Sequence, residues 1–426
     1  MPADLLQAVV DRRAVIFAGA GVSTEDKLVT RLTMYDDLRT DPSIEMPADA
    51  PFPDVMVRFE EKYGRSELLQ YILKRFDTVR AMPEAEKFAS RFHQQLAPIP
   101  QLDQIYTTNW DTYFERYTRA LPIVTDADFA FWDLPRRKVF KLHGSIDNVS
   151  TIIATAGDYT RRIRELSRGL LGATLRLALG TKTVIFVGYS LRDSDFSHIY
   201  RYLARNMGDI LPRSYIVTLG DRPLPSFVNS KRIHTDGTYF MAQLKLALVR
   251  GGHMLSENRF PQAYILRTRL ERAADATRKI DLKRYPTALY ATCYQDGLRQ
   301  SLDRAASEWN SGNYHDPGYV QRLAHDYLTH WLRGAVKARR YDDAAYIEGF
   351  GTGFGFLLGG ISPALVPLFY LPGLGTTLFP DRFRTNLLRA KRLHKAAYSR
   401  AARLVSHFEP GLFYRHSTEL LGVRPE

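Results

Sequence analysis

The stretch VIFAGAGVS, from Val15 to Ser23, decides the fold that the sequence predicts. Its apolar run is followed by Gly-Ala-Gly and a serine, a pattern typical of a buried β-strand that turns tightly into a helix. Small residues at such a turn let backbone N–H groups approach a phosphate. Gly19 and Gly21 supply only part of the Gly-x-Gly-x-x-Gly dinucleotide fingerprint, because Thr24 stands in its last position. The stretch therefore predicts either a nucleotide-binding turn or a tight structural turn without a ligand.

The chain has 426 residues, of which 45% are hydrophobic and 25% charged, an ordinary composition for a globular protein. This length predicts two domains, or one large domain with an extension. A single cysteine, Cys293, excludes a disulfide framework and a cysteine-rich zinc site within one chain, and no metal is expected. The N-terminal residues lack the apolar core of a signal peptide, which together with the cysteine usage predicts a cytoplasmic protein.

The formal net charge of +13 is concentrated late in the chain. Three basic runs carry much of it: Lys279 to Arg284, Arg333 to Arg340 and Arg382 to Arg403. Solvated helix faces and salt bridges between subunits are the simpler explanation of such runs, and direct contact with nucleic acid is the alternative. No zinc finger, RNA-recognition motif or other named nucleic-acid signature accompanies them.

The first half of the chain alternates short apolar segments with longer segments of helical spacing. The strand candidates are Val15 to Ala18, Gln104 to Thr107, Lys138 to Leu142, Thr183 to Val187 and Ser214 to Leu219. Alternation of this kind predicts an α/β fold with a Rossmann-like, doubly wound parallel sheet. Ligands of such sheets bind beyond the carboxyl ends of the strands, so the residues directly after each strand are the candidate site.

Compact polar or glycine-containing segments follow four of these strands. After GAGVS come TTNWD from Thr107 to Asp111, HGS from His143 to Ser145, and GYSLRDSDF from Gly188 to Phe196. Turn chemistry alone does not explain four such segments in these positions. The sequence therefore predicts one binding site built from four loops.

Taken in order, GAGVS, TTNWD, KLHGS and GYSLRDSDF resemble the sirtuin (SIR2) family, most closely its prokaryotic defence-associated branch. The resemblance spans roughly Ala14 to Leu248 and implies a SIR2-like, Rossmann-like domain that binds NAD over residues 1–250. It implies that Asn109 and Asp111 sit beside the nicotinamide ribose and that His143 is the active-site histidine. It also implies a set of NAD-binding residues, namely Gly19, Ala20, Gly21 and Ser23 at the phosphates, with Thr108, Gly188, Ser190 and Asp193.

Two departures from the family narrow the expected activity. Protein-deacylating sirtuins usually carry a four-cysteine zinc module, which one cysteine cannot supply. After GAGVS the chain reads TEDKLVTRLTMYDDL, without the segment that contacts nicotinamide in deacylases, so Thr24 to Leu38 should depart most from a sirtuin. Defence-associated relatives, which lack the zinc module, typically hydrolyse NAD⁺ to ADP-ribose and nicotinamide, often inside a large assembly triggered by phage.

The residue types suit this chemistry. Nicotinamide leaves as a neutral group, so the site must orient the ribose and present a water rather than supply a strong acid. Asn109 can donate and accept hydrogen bonds there without adding charge, and His143 can act as a general base near neutral pH. Asp111 is expected to support Asn109. The structural alternatives are helix capping by Asn109, Asp111 or Asp193 and a histidine bonded within an ordinary turn.

Beyond residue 250 the sequence becomes helical and rich in Tyr, Arg and Ala, after a linker-like GGHMLSENRFPQ. Residues 251–426 are therefore predicted to form a mostly α-helical domain for assembly, regulation or docking. The stretch from Gly349 to Phe379 contains no charged residue and is long enough to span a bilayer. Its many glycines and prolines favour burial in a domain core or a subunit interface over membrane insertion.

Three functions from different classes fit these observations. The first is an NAD⁺ glycohydrolase, an abortive-infection effector that works as a homo-oligomer. The second is a catalytically silent nucleotide-sensing or scaffold subunit of a nucleic-acid-linked defence complex, for example with a HerA-like ATPase or an Argonaute-type protein. The third is a protein deacylase or ADP-ribosyltransferase. Retention of Asn109 and His143 favours the first, and the missing cysteines count against a deacylase.

Overall fold

The structure is a computed structural model that describes residues 1–23, 32–44, 46–47, 49–189, 194–221, 229–360, 362–371 and 380–407. The chain divides into two units. The first holds the described residues up to Gly251 together with Asn310–Gly312, and the second holds the described residues that remain.

A parallel sheet forms the centre of the first unit. Its strands are β1 (Ala14–Ala18), β2 (Gln104–Thr107), β3 (Leu121–Ile123), β4 (Lys138–Lys141), β5 (Thr183–Val187), β6 (Ser214–Thr218) and β7 (Ser230–His234). They lie in the order β3-β4-β2-β1-β5-β6-β7, and every neighbouring pair is parallel. The doubly wound α/β fold predicted from the sequence is confirmed.

Helices connect these strands and cover the sheet. In chain order they are α1 (Ala3–Val10), α2 (Met34–Arg39), α3 (Phe52–Tyr63), α4 (Arg65–Arg80), α5 (Pro83–Ala89), α6 (Arg91–Leu96), α7 (Tyr113–Thr118), α8 (Ala156–Arg168), α9 (Leu170–Thr181), α10 (Ser194–Met207) and α11 (Gly237–Arg250). Apolar side chains of α8, α9 and α10 share one core cluster with the sheet. Those of α2, α3 and α4 form another cluster with Trp110 and Ile146, which belong to the loops after β2 and β4.

A row of aromatic side chains fixes the register of the four central strands. Phe17 of β1 is paired with Tyr106 of β2 and with Phe186 of β5, and Tyr106 is paired in turn with Phe140 of β4. The ring centroids of successive members lie 4.6 to 6.5 Å apart, within the range of favourable aromatic contact. A slip of one residue would break this row, so the ends of these strands are held level with one another.

Helices make up most of the second unit. They are α12 (Arg259–Arg278), α13 (Ala288–Ser307), α14 (Pro317–His325), α15 (Leu332–Lys337), α16 (Tyr341–Gly359), α17 (Pro380–Leu393) and α18 (Lys395–Ser406), with a π-helical turn at Asp326–Trp331 between α14 and α15. Helix α16 is buried along most of its length and packs along α13.

Glycines allow the backbones of α13 and α16 to touch. A Cβ added to Gly297 would lie 2.1 Å from the carbonyl oxygen of Tyr346, and one added to Gly349 would lie 2.0 Å from that of Tyr294. Real Cβ atoms do not approach so closely, so these positions require glycine. The first third of the uncharged stretch is thus a core helix, and none of the helices in the described ranges is long and apolar enough to cross a bilayer.

We expect the buried carboxylate of Glu348 to make the stability of the second unit depend on pH. It is buried on α16 and accepts hydrogen bonds from the backbone N–H groups of Leu368 (2.9 Å) and Phe369 (3.4 Å). Burial raises the pKa of Glu348 to about 7, and the two hydrogen bonds oppose this only in part. The pKa of Glu348 is higher in the folded state than in the unfolded state. Its contribution to the free energy of unfolding is therefore complete below the unfolded pKa and is lost as pH rises through about 7.

We expect Glu348→Gln to remove this pH dependence. The wild-type chain should lose about 1–3 kcal/mol of stability between about pH 4.5 and 8 on account of Glu348, and the variant should not. Urea unfolding across this pH range measures the difference. The exposed Glu271→Gln is the matched control and should keep the wild-type profile. A Glu348→Gln variant with the same pH dependence as the wild type would contradict the prediction.

Candidate functional site

The loops after β1, β2, β4 and β5 lie at one edge of the sheet. These are four adjacent strands, because β1 lies between β2 and β5 and β2 lies beside β4. The chain extends the sheet from β1 to one side through β2, β3 and β4, and then to the other side through β5, β6 and β7. The carboxyl end of β1 is therefore the topological switch point, where doubly wound sheets bind their ligands. Three of the predicted motifs and the first two residues of the fourth, Gly188 and Tyr189, are brought to this edge, and residues 190–193 lie outside the described residues.

The turn after β1 packs directly on the turn after β5. A Cβ added to Gly19 would lie 2.6 Å from the carbonyl oxygen of Gly188, and one added to Gly21 would lie 2.7 Å from the Gly188 Cα. The N–H of Gly19 donates to Val187 O (3.0 Å) and that of Gly21 to Gly188 O (2.9 Å). Gly188 itself has a φ of +60°, which favours glycine. The glycines that were predicted to contact phosphate are thus required by the close packing of the two turns. This is the alternative explanation, a tight structural turn.

Asn109 lies in the loop after β2 and is 7% exposed. Its backbone N–H donates to the Thr107 hydroxyl (3.0 Å), and its Nδ2 donates to the hydroxyl of Ser23 (3.1 Å). The loops after β1 and β2 are therefore joined through two side chains of the predicted site. Within the described residues its Oδ1 is buried without a hydrogen-bond partner. A buried amide oxygen of this kind costs free energy unless a ligand or water donates to it.

Asp111 acts on its own loop rather than on Asn109. Its Oδ1 accepts the backbone N–H of Tyr113 (3.0 Å) at the start of α7. This is the structural alternative raised for Asp111, a carboxylate that stabilises a helix start. The supporting role of Asp111 in catalysis stays a prediction.

Lys141, at the end of β4, supports the candidate site and was not predicted from the sequence. Its side chain is fully buried, and its Nζ donates to Trp110 O (3.2 Å), to Asp111 O and to Glu115 Oε1 (2.9 Å). The three protons of the ammonium group therefore meet three acceptors, two of which are carbonyls of the loop that carries Asn109. Burial raises the pKa of Glu115, and the neighbouring Lys141 opposes that shift. The ion pair between Lys141 and Glu115 therefore stabilises the loop that carries Asn109.

His143 directly follows β4 and is 4% exposed. Its carbonyl oxygen accepts the N–H of Ile153 (3.0 Å), and its ring meets the edge of the Tyr159 ring at a centroid distance of 5.0 Å. The loop of His143 is tied to the loop of Asn109 by a bond from Ile146 N–H to Trp110 O (3.0 Å). The histidine is thus held in place by backbone hydrogen bonds and packing.

Gly144 sets the position of His143, and its replacement should be costly. Its φ is +87°, and an added Cβ would lie 2.0 Å from the carbonyl oxygen of Thr151. We expect Gly144→Ala to lower the free energy of unfolding by about 2–5 kcal/mol, from backbone strain and overpacking together. Gly157→Ala is the control, since nothing lies within 4 Å of its added Cβ. Urea unfolding measures the stability of both variants. An equal loss of stability in the two would contradict the prediction.

The other predicted site residues fall into two groups. Ala20 lies exposed in the turn after β1, and the N–H of Thr108 donates to Ala18 O (3.4 Å). Ser190 and Asp193 lie outside the described residues, as do residues 24–31 of the segment expected to depart from a sirtuin. Within the described part of the chain, no group of three or more His, Cys, Asp or Glu side chains is placed to hold a metal ion.

Comparison with known proteins finds similarity to SIR2-like proteins over part of the chain. Residues 103–236 match the model of a SIR2-like domain. The NAD(+) hydrolase ThsA of Cytobacillus dafuensis is 27% identical over 212 residues, which cover 48% of this chain and 41% of that protein. The NAD(+) hydrolase ThsA of Enterococcus faecium is 28% identical over 205 residues, covering 45% and 40%. The chain thus spans about two fifths of the length of the curated relatives it matches.

A solved structure described as "Structural Basis for the Mechanism and Regulation of Sir2 Enzymes" overlaps with 58% of this chain and 96% of its own. Its sequence identity is 14% and its TM-score 0.33. The likeness is too distant to bear on the site. The matched domain model begins before β2, so it includes the loops that carry Asn109 and His143 but not the turn after β1.

Proposed function

We propose that this chain, whose first unit contains a SIR2-like domain, hydrolyses NAD⁺ to nicotinamide and ADP-ribose. The observation that supports this most is the buried amide of Asn109. Its Nδ2 is held by Ser23, and its Oδ1 has no partner among the described residues. A ribose hydroxyl or an attacking water is the kind of donor that this oxygen needs. The names of the relatives, NAD(+) hydrolases, support the same reaction.

The reaction balances without a metal or an added acid. The bond between ribose C1′ and the nicotinamide nitrogen breaks, and nicotinamide leaves as a neutral molecule with the bonding electron pair. Water adds to C1′, and its proton passes to His143, which acts as general base. Asn109 Oδ1 orients the water or the ribose hydroxyl that lies beside it. The roles of Asn109 and His143 follow the motif order, and both side chains are buried at the edge where such ligands bind.

The setting of this activity belongs to the same proposal. The resemblance of four ordered motifs to defence-associated SIR2 proteins supports a role in antiphage defence, in which NAD⁺ is depleted. An oligomer of this chain, alone or with a HerA-like ATPase or an Argonaute-type protein, is the assembly that this resemblance suggests. The ADP half of the substrate would lie along the turns of Gly19 to Ser23 and Gly188.

Incubation of the purified chain with NAD⁺ tests the proposal directly. Nicotinamide and ADP-ribose are separated by chromatography, with and without the product of the neighbouring gene. We expect both products in equal amounts, and we expect His143→Ala to abolish them. Absence of nicotinamide in both arms would overturn the proposed function. Release of nicotinamide without free ADP-ribose would indicate an ADP-ribosyltransferase instead.

A further inference from the structure

Helices α17 and α18 present a basic surface that the proposed NAD⁺ hydrolysis does not use. Between Arg382 and His407 the sequence has eight Lys and Arg residues and no Asp or Glu. Arg400 is half-buried and bonds Asp342 of α16 through its Nε (2.5 Å). The other seven are exposed and are called here the basic surface: Arg382, Arg384, Arg389, Lys391, Arg392, Lys395 and Arg403.

Among the side chains that the structure describes, which do not include that of Asp381 on α17, no ion pair joins any of the seven cations to an acidic side chain. Lys391 lies over the ring of Tyr398, with its Nζ 4.6 Å from the centroid, which leaves its charge in place. Several positive charges on a small surface produce a strong positive potential, which attracts a polyanion.

The geometry of α17 arranges its cations along the outer face of the helix. The helix buries Phe383, Leu387 and Ala390 in the core of the second unit. Arg382 and Arg389 are seven residues apart, as are Arg384 and Lys391, so each pair spans two turns, about 10 Å. The two pairs flank the buried stripe on opposite sides, and Arg392 lies between them on the outer face. This spreads positive charge over one continuous surface.

We propose that the basic surface of α17 and α18 binds the phosphate backbone of nucleic acid without sequence specificity. Five of its seven cations are arginines, which bind phosphate oxygens in bidentate fashion. The apolar face that an interfacial helix would insert into lipid is already buried in the core, which argues against a membrane. Exposed apolar side chains on α17 are the separated Leu388 and Leu393, without the aromatic anchors typical of a protein interface.

Fluorescence anisotropy with a labelled DNA duplex of arbitrary sequence tests this inference without NAD⁺. We expect the full chain to bind, and the logarithm of its affinity to fall against the logarithm of salt concentration with a slope of about −4 to −6. The triple variant Arg384→Gln/Arg389→Gln/Arg392→Gln should bind at least about tenfold more weakly and lose about 2–3 units of slope. Single-stranded DNA and RNA of equal length distinguish the kinds of nucleic acid that share this backbone.

The matched control removes the same charge from another basic run. The variant Lys279→Gln/Lys283→Gln/Arg284→Gln changes residues that follow the end of α12 at Arg278, and it should bind the duplex like the wild type. Thermal unfolding of both triple variants shows whether each is folded. The inference is overturned if the wild-type chain binds no nucleic acid at low salt, or if the control loses as much affinity as the α17 variant. Binding to vesicles of phosphatidylserine and phosphatidylcholine, but not to nucleic acid, overturns it as well.

Discussion

Replacement of Asn109 by alanine is expected to lower kcat for NAD⁺ hydrolysis by about 100-fold or more, the scale of losing one well-placed polar group in an active site. The physical reason is that the buried Oδ1 is aimed at no protein donor among the described residues, so its hydrogen bond is kept for the reacting species. Stability should fall by only about 1 kcal/mol, because the folded state loses one hydrogen bond, to Ser23.

Two further variants separate catalysis from local packing. Asn206→Ala removes an exposed asparagine that bonds Tyr202 O on α10 and should leave the rate unchanged. Ser23→Ala removes the partner of Nδ2 but keeps the amide, so we expect an intermediate loss of about tenfold. Steady-state kinetics and urea unfolding are measured on all three. Wild-type turnover by Asn109→Ala would refute the assignment of Asn109 even if the chain hydrolyses NAD⁺.

Lys141→Met is expected to lower both the stability of the fold and the rate of NAD⁺ hydrolysis. Removing the ammonium leaves the Glu115 carboxylate and the Trp110 and Asp111 carbonyls without their shared donor. Loss of one partner from a buried ion pair costs about 3–5 kcal/mol. The loop that carries Asn109 loses its support as well, so kcat should fall even in the fraction of protein that remains folded.

Arg137→Met is the matched control for this loss. Its guanidinium is also buried and also donates to backbone carbonyls, those of Ala97, Ile99 and Leu102, but at the amino end of β4. Both variants should be destabilised, and only Lys141→Met should lower kcat per folded molecule. The double variant Lys141→Met/Glu115→Gln should recover part of the lost stability, because no buried carboxylate is left unpaired. Equal kcat in the two methionine variants would rule out a positioning role for Lys141.

The central strands could be predicted from sequence because they are buried on both faces. β1 and β5 are runs of apolar residues without a polar interruption, and the structure places their ends within a residue of the predicted ones. The edge strands β3 and β7 were missed. β3 has three residues, one of them a proline, and β7 reads SKRIH, which lacks the apolar alternation of a half-buried strand.

The residues of the candidate site were likewise predicted only in part. Asn109 and His143 were predicted because their motifs follow strands in a specific order. Lys141 was missed because a lysine at a strand end is normally exposed, and its burial depends on Glu115, 26 residues earlier in the chain. The one signal in the sequence is its place in KLHGS, between the apolar residues Phe140 and Leu142. Burial of the glycine-rich α16 was predicted as one of two alternatives, and the structure shows the domain core for Gly349 to Gly359.

The turn after β1 packs on the turn after β5, and this packing links the position of Gly188 to that of Asn109. Gly188 is bonded to Gly21, and two residues later Ser23 is bonded to Asn109. A shift of the β5 turn must therefore either break the Gly21 bond or carry the whole chain of contacts with it. If the proposed NAD⁺ site is correct, we expect occupancy of its nucleotide end to reach the Asn109 amide over this path of two hydrogen bonds.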